Sequence, residues 1–262
     1  MLGALQGLTE FLPISSSGHL VLASKLLNFQ EQGLAFDVFV HLGTLVSICI
    51  VFRKELTAMV KAPFAVLRGK ADDEVKRYYQ WDIYVVVATL PAVVIGLFLK
   101  NNIEQLFGSI LLVYSMLFVT GIIMTLTPYL KETSVKLNCP RALAIGCAQA
   151  MAIFPGLSRS GSTIFIGMFL GLNRETVARF SFIMSIPAII GAVVLQSREL
   201  VANPPTADSM VMILAGTATS AVCGYLAIML LLGVIRRNRL QYFGYYCLVL
   251  ASGGLFYTLI LA

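Results

Sequence analysis

Six long apolar runs decide what this chain can fold into: Phe36–Phe52, Ile83–Leu99, Leu106–Leu126, Phe180–Leu195, Met210–Ile235 and Phe243–Leu261. A helix needs about 20 predominantly apolar residues to cross the hydrocarbon core of a bilayer. Charged residues make up 12% of the chain and apolar ones 58%, with mean hydropathy +0.85; a soluble domain carries about 25% charged residues. The expectation is an all-α polytopic membrane protein, one membrane-embedded domain over residues 1–262 with six spans. Pro91 and Pro187 fall inside two of the runs as expected kinks. Met1 leads straight into apolar sequence with no basic segment ahead of it, so no signal peptide is expected.

Two further apolar elements are broken by polar sequence. Met1–Leu12 is too short to span and ends at Pro13; Ser15-Ser16-Ser17-Gly18-His19 follows, then Leu20–Leu27. The second is Ala142–Phe154, the loop Pro155–Thr163, and Ile164–Leu172. Each reads as a re-entrant hairpin, because irregular backbone survives at membrane depth only when buried in protein or lining a cavity. The polar stretch from Arg53 to Trp81 reads as a cytoplasmic loop with some interfacial helix.

The two broken elements resemble each other. An offset of 143 aligns Gln6 with Gln149, Phe11 with Phe154, Ser15 with Ser158, Ser17 with Ser160 and Gly18 with Gly161; it also aligns Leu27 with Leu170, Ala35 with Ala178 and Phe39 with Phe182. The chain then divides into repeats of about 1–130 and 141–262, each with one hairpin and three spans. An odd number of crossings puts the halves in opposite orientations, an inverted-topology repeat whose polar loops meet near the midplane.

The basic residues test that topology. It places fifteen of them on one side, among them Arg53, Lys54, Arg174 and Arg179, and only Lys25, Lys100 and Arg198 on the other. The positive-inside rule makes the first side cytoplasmic. The net charge of +6 is thus explained by cytoplasmic loops, and no aromatic-interleaved basic patch points to nucleic acid. Cys49, Cys139, Cys147, Cys223 and Cys247 form no CxxC pair and read as small buried hydrophobes.

The two polar loops hold the chemistry. The second is Pro155-Gly-Leu-Ser-Arg-Ser-Gly-Ser-Thr163. Glycine-exposed N–H groups and a following helix N-terminus favour an anion, and Ser158, Ser160, Ser162 and Thr163 add hydroxyls. The bland alternative for the serines is helix capping. Arg159 argues for more, since an arginine in so apolar a setting needs an anionic partner or a water-filled cavity. The first loop brings Glu10, Ser15, Ser16 and His19, with Gln6 one helical turn before Glu10. His19 and Glu10 suit proton transfer, whereas His41, inside a span, is given a structural role. Arg159 would clamp phosphate oxygens; Ser16 or His19 would attack phosphorus, or His19 would activate a water or protonate the leaving group. A divalent cation held partly by Glu10 would offset the charge of a diphosphate.

At these residues the chain resembles a known family. Gln6-Gly-Leu-Thr-Glu10-Phe-Leu-Pro-Ile-Ser-Ser-Ser-Gly-His19 and Pro155–Thr163 are similar to the two signature motifs of the bacterial undecaprenyl-diphosphate phosphatases, the BacA/UppP family. The resemblance covers essentially the whole chain. It implies hydrolysis of undecaprenyl diphosphate to undecaprenyl phosphate and inorganic phosphate, recycling the lipid carrier of peptidoglycan synthesis and giving bacitracin resistance. It also implies six spans with two re-entrant hairpins, an inner-membrane location, a site open to the periplasm and a divalent cation, Mg2+ or Ca2+. Carried over by position, Glu10, Ser16, His19 and Arg159 are catalytic, with Glu10 the metal ligand. Gln6, Ser15, Ser158, Arg159, Ser160, Gly161 and Thr163 bind substrate. Gln6 stands where the family has Glu or Gln, leaving Glu10 the one charged member of that motif. A polyprenyl-phosphate transporter or flippase is the alternative, since inverted repeats are common in transporters.

Overall fold

The computed structural model describes residues 1–26, 34–98, 108–133, 135–202 and 205–261. Leu27, Leu99, Lys100 and Leu106, at which the sequence reading placed three element ends and one outer-side lysine, lie outside the described residues. Among the described residues the fold is helical without a strand; one isolated bridge joins Val135 and Leu172. The helices are α1 (Leu2–Phe11), α2 (Ser16–Leu26), α3 (Leu34–Val51), α4 (Arg53–Leu67), α5 (Asp73–Phe98) and α6 (Ile110–Leu126). After them come α7 (Cys139–Met151), α8 (Arg159–Phe169), α9 (Arg174–Ala202), α10 (Ala207–Arg236) and α11 (Gln241–Phe256).

Among the described residues, five helical stretches are long and apolar enough to cross a membrane: Asp73–Phe98, Ile110–Tyr129, Arg174–Leu195, Ser209–Arg236 and Gln241–Ile260. The sixth expected span is different. Ala35–Val51 bends by 80° into Arg53–Leu67, and only the pair together passes as one span. The protein is a multi-pass membrane protein of five to six candidate spans.

The expected polar connection from Arg53 to Trp81 is mostly helix. Arg, Lys and Glu are good helix formers, and Met59 and Ala62, three apart on α4, are both buried. The Asp72 carboxylate accepts the Val75 N–H at 2.8 Å and caps α5, whose first turn holds Asp73 and Glu74 against the positive dipole end. The spans thus begin before their apolar cores do, α5 at Asp73 and α9 at Arg174.

Four helices are short: α1 has 10 residues, α2 11, α7 13 and α8 11. At about 1.5 Å per residue, each covers roughly half of a bilayer core. Their first helices pack backbone to backbone on a long neighbour. A Cβ on Gly3 of α1 would lie 2.3 Å from the Gly216 oxygen of α10; one on Gly146 of α7 would lie 2.1 Å from the Ala88 oxygen of α5. Gly3 and Gly146 are offset by the same 143 residues as the loops. Small residues at such contacts are what packing in hydrocarbon favours. Phe182 of α9 ties the centre together, its ring 5.7 Å from Phe11 and 5.8 Å from Phe52. The cysteines are all free, but only Cys247 is buried, while Cys49, Cys139 and Cys147 lie exposed on the outside of the bundle. Where the surroundings are as apolar as the core, a small apolar side chain gains nothing by facing inward.

Candidate active site

Each pair of short helices turns on a serine cap. Ser15 adopts a left-handed conformation (φ 68) and its Oγ accepts the Gly18 N–H at 3.3 Å. Ser158 Oγ accepts the Gly161 N–H at 3.1 Å. Ser16 and Arg159 are therefore already the first residues of α2 and α8, and the stretches expected as loops through His19 and Thr163 are first helical turns. The turns touch each other. A Cβ on Gly18 would sit 3.0 Å from the Gly156 Cα, and Ser160 Oγ donates to the Leu12 carbonyl at 3.2 Å. Gly156 has φ +97 and its carbonyl accepts from Thr120 Oγ1 at 2.9 Å, anchoring the second turn to α6.

Glu10 is the point where the two turns join. Gln6 Nε2, one turn earlier on α1, donates to its Oε2 at 2.9 Å, and Ser16 Oγ donates to the same oxygen at 2.6 Å. Arg159 Nη2 donates to Oε1 in an ion pair that bridges the two helix pairs. The Glu10 side chain is 7% exposed and that of Arg159 22%. Burial makes an unpaired carboxylate prohibitive, so the guanidinium is what keeps Glu10 charged there. Arginine has five N–H donors; those not facing Glu10 remain available to an anion.

His19 is placed apart from this centre. Its Nδ1 lies 2.8 Å from the Ser15 carbonyl, an acceptor only, so Nδ1 carries the proton. Its Nε2 lies 2.7 Å from the Tyr246 hydroxyl, and the two rings stack with centroids 5.6 Å apart. Neither nitrogen bonds Glu10 or Ser16 among the described residues. Tyr246, on α11, was not singled out from sequence; it sits in an apolar run with Tyr242 and Tyr245, and no spacing rule marks it.

The Thr163 hydroxyl is engaged structurally. Thr163 Oγ1 bonds the Arg159 carbonyl at 2.8 Å and Ser181 Oγ at 2.6 Å, tying α8 to α9. The Ser158 N–H bonds Thr120 Oγ1 at 3.0 Å. On the four short helices, three buried side chains have polar atoms with no protein partner among the described residues: Gln6 (Oε1), Gln149 (Oε1 and Nε2) and Ser162 (Oγ). Gln149 and Gln6 are the aligned pair of the repeat. His41 Nδ1 lies 2.7 Å from the Asp37 carbonyl of its own helix, and the ring is near enough to Glu10 to act on its charge.

The class defined so far is a multi-pass helical membrane protein with a buried serine–carboxylate–arginine centre. Comparison narrows it. The family profile described as "Bacitracin resistance protein BacA" matches residues 1–253. A protein named undecaprenyl-diphosphatase from Desulforapulum autotrophicum is 41% identical over 263 residues, covering 95% of this chain and 93% of its own. Its namesake in Geobacter sulfurreducens is 40% identical, covering 98% and 96%. One from Methanosphaera stadtmanae is 39% identical, covering 95% and 93%. The chain belongs to the BacA family.

Proposed function

We propose that this protein hydrolyses undecaprenyl diphosphate to undecaprenyl phosphate and inorganic phosphate, recycling the lipid carrier of cell-wall synthesis and giving bacitracin resistance. The observation that carries this reading is the meeting of Ser16, Glu10 and Arg159 across two separate helix pairs. A hydroxyl, its base and a fixed cation stand on one carboxylate. The relatives bear the name of the activity. No observation favours transport.

The architecture proposed with it is one domain of two inverted halves, about 1–130 and 141–262, in which α1–α2 and α7–α8 are re-entrant hairpins. Three features support it. Ser16–Leu26 and Arg159–Phe169 are displaced by the same 143 residues at both ends. Ser15 Oγ and Ser158 Oγ each accept the N–H three residues on, at the starts of α2 and α8. Gly3 and Gly146 make matching backbone contacts on a span of the other half. The charge asymmetry supports an inner-membrane protein whose first hairpin opens to the periplasm.

In the reaction, the terminal phosphate of the lipid docks on Arg159, drawing the guanidinium from Glu10. Glu10 Oε2 then takes the proton of Ser16 as its Oγ attacks phosphorus. The bond to the bridging oxygen breaks, and undecaprenyl phosphate leaves with the electron pair. Water then attacks the phosphoserine phosphorus, the bond to Ser16 Oγ breaks, Glu10 returns its proton to the departing Oγ, and the water's oxygen and protons leave with inorganic phosphate. This order assigns attack to Ser16, because His19 is held between Ser15 and Tyr246; His19 ties the turn to α11 and so positions Ser16.

Among the described residues no group of three or more His, Cys, Asp or Glu could hold a metal. Glu10 and the unpartnered Gln6 Oε1 nevertheless fit a hard cation shared with substrate, since Mg2+ is commonly held by one or two carboxylates plus substrate phosphates. Such a cation would offset phosphate charge and polarise a phosphoryl oxygen.

The test is phosphate release from a C55 diphosphate by the detergent-purified protein, with EDTA and with restored Mg2+ or Ca2+. Release stopped by EDTA and restored by the cation is expected. No release from a folded preparation would overturn the reading.

A further inference from the structure

The end of α10 and the turn to α11 carry three arginines in four residues, Arg236-Arg237-Asn238-Arg239. Asn238 is left-handed (φ 52), and the Arg239 and Asn238 N–H groups return to the Val234 and Ile235 carbonyls at 3.1 and 3.0 Å. That pattern closes the end of α10 and fixes where the flanking arginines emerge. Arg236 is neutralised by Glu175 at 2.9 Å, and Glu175 also holds Arg179, which pairs with Glu55. This network places the turn on the same face as the starts of α4 and α9. Arg237 and Arg239 are exposed and have no acidic partner among the described residues.

Both unpaired arginines line one cavity of about 440 Å³, whose other walls include Met229, Leu230, Val234 and Phe243. Met229 and Leu230 are 49% and 53% exposed, and Gly233 leaves its floor open, with nothing within 4 Å of an added Cβ. Tyr242 stands at the rim with its ring exposed, as interfacial aromatics do. Cations near a helix C-terminus serve the dipole alone in the bland case. That case does not account for an apolar groove running from the two arginines down the outside of a membrane-crossing helix.

We infer that this cavity binds an anionic membrane phospholipid, its phosphate on Arg237 and Arg239 and an acyl chain along Met229, Leu230 and Phe243. A free phosphate would use the arginines and leave the apolar walls idle; a zwitterionic lipid would bring no net charge to two uncompensated cations. Basic pockets between spanning helices are suited to such headgroups. The site is separate from the Ser16–Glu10–Arg159 centre, although Tyr242 lies one helical turn, about 6 Å of rise, before the His19 partner Tyr246.

The test uses the full chain in detergent, with native mass spectrometry and thermal melts against phosphatidylglycerol, phosphatidylcholine and inorganic phosphate. The wild type should retain and be stabilised by phosphatidylglycerol alone. R237Q/R239Q should bind it roughly thirtyfold more weakly, the loss of two phosphate-facing charges. Gly233→Phe, which fills the floor and keeps both arginines, should also weaken it. Equal retention of phosphatidylcholine, undiminished binding by R237Q/R239Q, or equal stabilisation by inorganic phosphate would overturn the proposal. Phosphate release from a soluble diphosphate should stay within about twofold of wild type in R237Q/R239Q, where twofold is well under 1 kcal/mol. Loss of that release would mean that the cavity belongs to the catalytic site, and would overturn the assignment to a separate lipid.

Discussion

Replacing Arg159 by alanine removes the one cation that, among the described residues, forms an ion pair with Glu10, whose side chain is 7% exposed. Breaking a buried pair by deleting one partner typically costs about 3–5 kcal/mol, because the remaining charge stays uncompensated. Glu10 retains the Ser16 and Gln6 hydrogen bonds, which soften the loss without neutralising the charge. The reverse deletion is milder. Arg159 is 22% exposed and can turn toward water, and Glu10→Gln keeps an acceptor, so its cost is about 1–2 kcal/mol. The double variant E10Q/R159A has no charge left to strand and should therefore be more stable than R159A. Contacting pairs commonly couple by about 0.5–3 kcal/mol, and the upper part of that range is expected here. The assay is reversible unfolding in detergent of all four proteins, with phosphate release measured beside it. R159A should be the least stable and should remain folded, and all three variants should lose turnover. R159A as stable as E10Q, or a double variant equal to the sum of the singles, would refute the reasoning that Arg159 holds Glu10 charged.

Ser16→Ala should cut phosphate release by about 10³-fold or more, the scale seen when a nucleophile is removed, with stability lowered by only about 1 kcal/mol for one hydrogen bond; kcat and a melt taken together check both. Tyr246→Phe frees Nε2 of His19, and loss of one positioning hydrogen bond should lower kcat by up to about tenfold with KM little changed; a selective rise in KM would place Tyr246 on the substrate instead. Gly146→Leu drives a side chain into the Ala88 carbonyl, 2.1 Å from the first added carbon. Overpacking costs about 1–3 kcal/mol or more, so the melt should fall, while Gly191→Leu, with nothing within 4 Å, should melt near wild type.

Much of this was legible in the chain. Apolar length located five candidate spans among the described residues, and the offset of 143 linked two elements whose second helices, Ser16–Leu26 and Arg159–Phe169, have matching bounds. The cost of an arginine in apolar surroundings pointed to an anionic partner for Arg159, and the fold supplies Glu10. What was not legible has physical causes. Polar composition made Arg53–Trp81 read as a loop with some interfacial helix when it is mostly helix, because charged residues signal exposure and not the absence of helix. Loop-like Ser and Gly content concealed that Ser16 and Arg159 start helices, since caps and first turns draw on the same residues. Tyr246 meets His19 across 227 residues of sequence, a contact that only tertiary packing creates. Thr163 looked like a phosphate ligand, but its hydroxyl is committed to Ser181, and a hydroxyl's partner cannot be read from its residue type.

The measurement that tests the central claim most directly is phosphate release from a C55 diphosphate by wild type and Ser16→Ala side by side, with mass spectrometry of the Ser16 peptide after rapid quenching. Release by the wild type, a phosphorylated Ser16 in the quenched sample and neither in the folded variant are the predicted results. Undiminished release by Ser16→Ala would contradict the account and take the chemistry away from the Ser16–Glu10–Arg159 centre.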